Sequence, residues 1–268
     1  MIDATQLVGE ADVLLLTLDT LRYDVAVEQL AAGATPALAK RIGDAWERRH
    51  SPGSFTFASH QAMFAGFFPT PAQPGVHERL FALDFEGTES TGKRTFVFDA
   101  PNIVTGFANA GYHTVCIGGV GFFNKKNPLG NVMPGLFAES HWSPALGVTD
   151  PESQINQVDL ALDIISRTAK RLFLFINVSA LHQPNCIYVD GAKEDSPATQ
   201  GAALNKVDTE LERLFEALEN RGRCLCIVTS DHGTAYGEHG YVGHRVAQDV
   251  VWTVPYSEFV IGDAPDER

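Results

Sequence analysis

The sequence predicts an α/β fold built on a largely parallel central sheet. Short apolar runs bounded by turn residues recur along its 268 residues, and segments with helical periodicity lie between them. That alternation is typical of a parallel sheet covered by helices on both faces. The best strand candidates are residues 13–18, 114–117, 172–177, 225–229 and 254–261.

Three segments between these runs predict helices. In each of them apolar side chains recur at helical spacing, and glycine follows the ends of the first and the last, as is common where helices stop. The helix candidates are residues 102–110, 155–169 and 204–220. Residues 69–94 and 122–151 break the pattern with Pro, Gly and polar residues, so we expect both to form long surface excursions near the functional site.

Length and charge narrow the class of protein. A chain of 268 residues that is 44% hydrophobic can bury a full core, so we expect residues 1–268 to form a single domain. The formal net charge of −13 argues against nucleic acid as a partner, because binding to phosphodiester backbones needs clustered Lys and Arg. The N-terminal segment has no basic region and only a short apolar run. We therefore expect a cytoplasmic protein without an integral membrane segment.

Metal-binding residue types follow two of the candidate strands. Asp19 comes directly after residues 13–18, and Asp231 and His232 come just after residues 225–229. An aspartate in this position can also cap a helix, so Asp19 alone would be weak evidence for a site. In open α/β sheets, however, ligands bind at the carboxyl ends of the strands, and divalent cations take carboxylate oxygen and imidazole nitrogen. Two such strand ends together predict a metal site.

Further motifs extend this pattern in chain order. The first strand candidate runs into D-T-L-R-Y-D at residues 19–24, and S-D-H-G occupies residues 230–233, with G-E-H-G at residues 237–240. Between them lies a frame of the type [C/S/T]-x-x-S-[R/H]-x-x-x-x-G-x-x-P, matched by Thr56, Ser59, His60, Gly66 and Pro69. Together these motifs resemble the alkaline phosphatase superfamily, in particular its sulfatase-like branch.

The resemblance implies an alkaline-phosphatase/sulfatase-like α/β/α sandwich without a C-terminal subdomain. It also implies an enzyme, a hydrolase or transferase that acts on phosphoric or sulfuric ester bonds through a covalent intermediate on Thr56. A metal ion would activate the threonine hydroxyl by lowering its pKa. The implied metal ligands are Asp19, Thr56, Asp231 and His232. The implied catalytic residues are Thr56, His182 and His244, and the implied substrate-binding residues are His60, His182, His239 and His244.

The sequence departs from the sulfatase pattern at the nucleophile. Thr56, Ala58 and His60 stand where sulfatases carry Cys or Ser, Pro and Arg. Because threonine cannot be converted to formylglycine, the resemblance favours the threonine-nucleophile relatives, which act on phosphate-type esters. The alternatives are a sulfuric-ester hydrolase, a two-metal phosphodiesterase or phosphomutase, and a catalytically silent binding subunit.

Cofactor and substrate are expected only by class. Relatives with two metals usually carry an aspartate four residues before the histidine that corresponds to His182, and this chain has Val178 there, which favours a single divalent ion. The ligand types suit Mn, Mg, Zn or Ca without separating them. We expect the substrate to be a small-molecule or lipid-like anionic ester. Without a C-terminal subdomain the pocket would be open, or closed by an oligomeric partner.

Overall fold

The computed structural model describes residues 2–66 and 102–262, and its main feature is a seven-stranded sheet between helices. The strands of the main sheet are β1 (Asp12–Leu18), β2 (Glu47–His50), β3 (His113–Ile117), β4 (Glu139–His141), β5 (Leu172–Val178), β6 (Cys224–Thr229) and β9 (Thr253–Ile261). A separate hairpin pairs β7 (Ala235–Tyr236) with β8 (Val242–Gly243). The helices are α1 (Tyr23–Ala31), α2 (Pro36–Ile42), α3 (Thr56–Ala65), α4 (Ile103–Asn109), α5 (Pro128–Val132), α6 (Ser153–Arg167), α7 (Pro197–Arg221) and α8 (Asp249–Trp252).

The strand order confirms the predicted α/β architecture. The order across the sheet is β2-β9-β6-β1-β5-β3-β4. Strands β6, β1, β5, β3 and β4 are parallel to one another, whereas β9 is antiparallel to both β6 and β2. The central strands β6, β1 and β5 therefore end side by side, at one edge of the sheet.

The central strand packs into a different hydrophobic core on each face of the sheet. Leu14, Leu16 and Leu18 belong to a core formed with α1, α2, α6 and α7. Val13 and Leu15 belong to a second core, to which α3, α4 and α5 contribute. Successive side chains of a strand point to opposite faces, so an uninterrupted apolar run is what a strand covered on both sides requires.

The strands lie where the apolar runs predict them, and the helices agree less closely. All five strand candidates are confirmed, each beginning and ending within one residue of its prediction. Two helix candidates are matched closely, but α7 begins at Pro197, seven residues before the predicted start. There Ser196 and Thr199 form a capping box, while the first turns hold small and polar residues that weaken the apolar pattern.

One expectation about the loops was wrong, and another lies outside the described residues. Residues 122–151 do not form a simple surface excursion: they contain α5 and β4, and Phe123, Met133 and Phe137 are buried in the core. The Pro and Gly residues of this segment predicted a surface loop, although its large apolar side chains are buried. Residues 69–94 fall in the range that the structure does not describe. Among the described residues, no helix combines the length and the apolar character needed to cross a membrane.

Candidate metal centre and active site

The carboxyl ends of three neighbouring strands bring the predicted residues together. Asp19 follows the last residue of β1, and Asp231 and His232 follow β6, its parallel neighbour. On the other side of β1, β5 places Asn177 opposite Thr17. All of these side chains are fully buried. Parallel pairing therefore brings side chains that are far apart in sequence into one polar cluster at the carboxyl edge of the sheet.

Asp19, Asp231 and His232 have the arrangement of a metal-binding group. One ligand atom from each lies within 4.8 Å of the others. Oδ1 of Asp19 and Oδ2 of Asp231 are buried without a hydrogen-bond partner, and buried carboxylate oxygens without a partner are costly. Burial raises the pKa of Asp19 to about 6, helped by the charge of Asp231, and burial also raises the pKa of Asp231 to about 6. A hard or borderline divalent cation would satisfy both carboxylates, so the donor set fits a metal ion.

Backbone groups orient the carboxylate and the imidazole. Oδ1 of Asp231 accepts hydrogen bonds from the amides of Thr20, at 3.2 Å, and His232, at 3.0 Å. Nδ1 of His232 donates to the carbonyl of Gly233 at 2.8 Å, which leaves Nε2 with its lone pair available as a ligand. Burial lowers the pKa of His232, which favours this neutral form.

Thr56 places its hydroxyl beside the carboxylate and imidazole. It is the first residue of α3 and is 2% exposed. Its Oγ1 lies 3.5 Å from Oδ2 of Asp19 and 3.3 Å from Nε2 of His232. The first amides of a helix have no intrahelical partner and favour negative charge nearby. This position therefore suits an oxygen that becomes negative and a reacting group that is already anionic.

His60 lies beneath Thr56, and the cavity wall in the described part of the chain does not include it. It is fully buried, and its Nδ1 donates to the carbonyl of Thr56 at 2.7 Å. Its Nε2 lies 3.0 Å from Oγ1 of Thr17. Burial among aromatic rings, including Phe123 and Phe175, lowers the pKa of His60 to about 3. The geometry makes His60 a neutral support for Thr56, in contrast to the substrate contact that the resemblance implied.

His182 and His244 line a cavity of about 310 Å³ that opens onto Thr56. The ring centroids of His232 and His244 are 4.7 Å apart, and those of His182 and His244 are 5.5 Å apart. Nδ1 of His182 donates to the carbonyl of Gln183 at 2.6 Å. Burial and the neighbouring imidazoles lower the pKa of His244 to about 3, so this ring is neutral near pH 7. Both histidines are therefore positioned to contact a molecule held at Thr56.

His239 is not brought to this cavity. It is exposed, in a short turn on the β7–β8 hairpin, with a left-handed φ of 52°. The neighbouring Glu238 instead accepts a hydrogen bond from the buried Arg22 at 2.5 Å, and Arg22 also pairs with Asp24. The D-T-L-R and G-E-H-G motifs are thus joined by an ion pair that anchors the hairpin leading to His244.

Asn177 is the buried site residue that motif reasoning missed. Its Nδ2 donates to Oδ2 of Asp19 at 2.8 Å, and its Oδ1 accepts from the amide of Val120 at 3.1 Å. Nδ2 also lies 3.4 Å from Oγ1 of Thr17, which continues the network to His60. A polar residue in an otherwise apolar strand was the available signal, since every residue of β5 is buried.

Fold and site together define an α/β protein with a candidate divalent-metal centre at the carboxyl edge of its parallel strands. The sequence profile described as Sulfatase matches residues 11–256. The chain therefore belongs to the sulfatase family, and the predicted family is confirmed. A search of curated proteins found no match.

Solved structures with the same fold have low sequence identity to this chain. One is the soluble domain of lipooligosaccharide phosphoethanolamine transferase A from Neisseria meningitidis, with TM-score 0.64 and 16% identity over 94% of this chain and 78% of that one. Another is the C-terminal periplasmic domain of EcEptC from Escherichia coli in complex with Zn, with TM-score 0.61 and 10% identity over 94% and 74%. A third is a protein in the alkaline phosphatase superfamily from Vibrio parahaemolyticus, with TM-score 0.60 and 18% identity over 96% and 61%. These likenesses support the α/β/α fold.

Proposed function

We propose that this protein is a metal-dependent enzyme that cleaves phosphate-type esters through a covalent intermediate on Thr56. The observation that carries the proposal is the position of the Thr56 hydroxyl, 3.5 Å from Asp19 and 3.3 Å from His232, at the start of α3. A plain helix cap would not need two buried carboxylates with unpaired oxygens beside it.

Asp19, Asp231, His232 and Thr56 would hold the metal ion. When bound, a divalent ion supplies positive charge that lowers the pKa of the threonine hydroxyl and offsets the charge of the substrate. Among the described residues, one group of three candidate ligands meets this geometry, which supports a single site. The residue types suit Mn, Mg, Zn or Ca, and the Zn in the EcEptC structure shows that a protein with this fold binds zinc.

The side chains of the site then have separate roles in an in-line displacement at phosphorus. Oγ1 of Thr56 loses its proton to solvent and bonds to phosphorus as the bond from phosphorus to the alcohol oxygen breaks, and the departing oxygen takes up a proton to leave as the alcohol. His182 and His244 contact the nonbridging oxygens or the departing alcohol from the cavity wall. His60 keeps Thr56 in place through its carbonyl. A second hydroxyl, from water or from an acceptor molecule, resolves the intermediate.

Two features bear on the type of reaction. Thr56 cannot be converted to the formylglycine of sulfatases, which supports phosphorus over sulfur. Transfer to an acceptor alcohol is the second candidate, because the fold neighbours include a phosphoethanolamine transferase. The cytoplasmic location expected from the N-terminal sequence stays a prediction, and one of the neighbours is a periplasmic domain.

The test combines metal analysis with turnover of four model esters. Wild type, Thr56→Val and Thr56→Ser are assayed with p-nitrophenyl phosphate, bis-p-nitrophenyl phosphate, a p-nitrophenyl phenylphosphonate and p-nitrophenyl sulfate. Thr56→Val keeps the shape of the side chain and removes the hydroxyl, whereas Thr56→Ser is the matched control that keeps the hydroxyl. We expect metal-dependent turnover of a phosphorus ester that is lost in Thr56→Val and partly retained in Thr56→Ser.

A direct readout of the intermediate completes this test. Rapid acid quench followed by mass spectrometry should find the added phosphoryl group on the peptide that contains Thr56. Turnover that persists in Thr56→Val would contradict the nucleophile assignment. A protein that binds no divalent ion would contradict the whole mechanism.

A further inference from the structure

The cavity beside Thr56 is lined by two chemically different sets of residues. Thr56, His182 and His244 are the set at which the ester group would react. A second set, here called the apolar wall, consists of apolar side chains and glycine backbone: Val120, Gly121, Phe122, Leu129, Gly130 and Val148. Among the lining residues that the structure describes, the only other polar side chain is Asn127, and none is an acid, a lysine or an arginine.

The apolar wall contacts the residues that surround Thr56. Phe122 packs against Phe55 and Phe57, the two neighbours of Thr56 in sequence, with ring centroids 6.2 and 5.3 Å apart. The amide of Val120 is bound by Asn177, the same residue that orients Asp19. The apolar wall and Thr56 are therefore connected through shared contacts, and the alcohol portion of an ester bound at Thr56 would lie in the cavity that these apolar residues line.

Apart from Thr56, His182 and His244, the described lining residues offer a hydroxylated substrate one polar side chain, that of Asn127. Oδ1 of Asn127 already accepts from the amide of Gly130 at 2.8 Å, where it caps α5, so its Nδ2 is the group that remains. A sugar or a nucleotide placed here would lose more hydrogen bonds to water than the described lining residues could replace, and each such loss costs affinity. A cavity of about 310 Å³ is also at the small end of ligand sites.

We propose that the alcohol portion of the substrate is compact and apolar, with a ring or a short branched chain seated against Phe122 and Leu129. This inference rests on the proposed function, because it takes the ester group to be held at Thr56. The inference assigns the substrate specificity of the site to the segment between β3 and α6, which carries all six residues of the apolar wall.

The test compares two esters that differ only in the hydroxyl groups and ring oxygen of the alcohol. Cyclohexylmethyl phosphate and glucose 6-phosphate both esterify a primary alcohol on a six-membered ring, so the reacting group is the same. Binding is measured by calorimetry with Thr56→Val, after metal analysis has shown that this variant still holds the divalent ion through Asp19, Asp231 and His232, and kcat/KM is measured for wild type. We expect a preference of about 100-fold for the cyclohexylmethyl ester, as found where hydroxyl groups enter an apolar pocket.

Two phenylalanine variants locate the source of the preference. Phe122→Ala should reduce the preference to ~10-fold or less, because the apolar contact is removed. Phe259→Ala is the matched control: this half-buried ring on β9 packs against Phe215 and does not line the cavity, so the preference should stay at the wild-type value. Thermal unfolding of both variants shows that each remains folded.

The outcomes separate this inference from the proposed function. Thr56-dependent turnover with equal use of both esters overturns the inference alone. Absence of Thr56-dependent turnover with any model ester overturns the proposed function, while the calorimetric comparison still decides whether the wall selects an apolar group. Binding of neither ester, or an equal loss of preference in Phe122→Ala and Phe259→Ala, also overturns the inference.

Discussion

Removing the side chain of Asn177 should weaken metal binding, although Asn177 is not itself one of the candidate ligands. The Nδ2 of Asn177 donates to Oδ2 of Asp19 at 2.8 Å, in a site where both residues are fully buried. In Asn177→Ala, the carboxylate of Asp19 loses its only hydrogen bond from a nitrogen donor among the described residues, and the amide of Val120 loses its acceptor. The perturbation therefore acts on the ligand and on the cavity wall together.

The expected magnitude follows from the charge on the acceptor. A hydrogen bond to a charged group contributes about 1.5–3 kcal/mol. If that support is lost from the metal-bound form, affinity falls by roughly 10- to 100-fold, in the range seen when residues behind metal ligands are replaced. The pKa of Asp19 should also rise further, since the asparagine bond is one of the contacts that lower it.

Competition with a fluorescent chelator measures the effect directly. Mn²⁺ affinity is determined for wild type, Asn177→Ala and Asn156→Ala at neutral pH. Asn156 is the matched control, because its Nδ2 also donates a hydrogen bond, but from helix α6 to the backbone carbonyl of Ala145, at 3.0 Å, and not to a candidate metal ligand. Affinity in Asn177→Ala within about twofold of wild type, in a protein that remains folded, would refute the orienting role.

Two further predictions concern acid and the hairpin. Burial raises the pKa values of Asp19 and Asp231 to about 6, above the ordinary aspartate value of 3.8. In the metal-free protein their contribution to stability is therefore fully present below about pH 4 and is lost as pH rises through about 6. Because a metal ion replaces the protons, the increase in Tm produced by Mn²⁺ should grow between about pH 5 and about pH 7; a pH-independent increase in thermal melts would contradict this. Arg22→Gln should lower the free energy of unfolding by about 2 kcal/mol, because it breaks the bonds to Glu238 and Asp24, and it should lower kcat through displacement of His244. Urea unfolding and steady-state kinetics check this prediction, and unchanged kcat despite lower stability would show that the hairpin does not position His244.

The histidines show how far residue types can be interpreted without contacts. His60 and His239 both match the family frame, yet one is fully buried under Thr56 and the other is exposed on the hairpin. His182 and His244 do reach one cavity, although 61 intervening residues separate them in the chain. Motif spacing specifies neither burial nor direction, because both depend on which elements pack above and below a residue.

The sequence alone determined the parallel sheet and the residues at its carboxyl edge. Long apolar runs can be buried only in strands covered on both faces, and a carboxylate directly after such a run has to emerge at the strand end. Hence β1, β6, Asp19, Asp231 and His232 could all be predicted from local pattern.

Only the tertiary structure shows which residues orient the candidate metal ligands and which residues line the cavity. Asn177 acts on Asp19 because β5 lies beside β1, and the apolar wall exists because residues 120–148 fold back over the start of α3. The pairing of Arg22 with Glu238 joins residues 216 positions apart. Contacts at such separations depend on how whole elements pack, and a local sequence pattern carries no information about that packing.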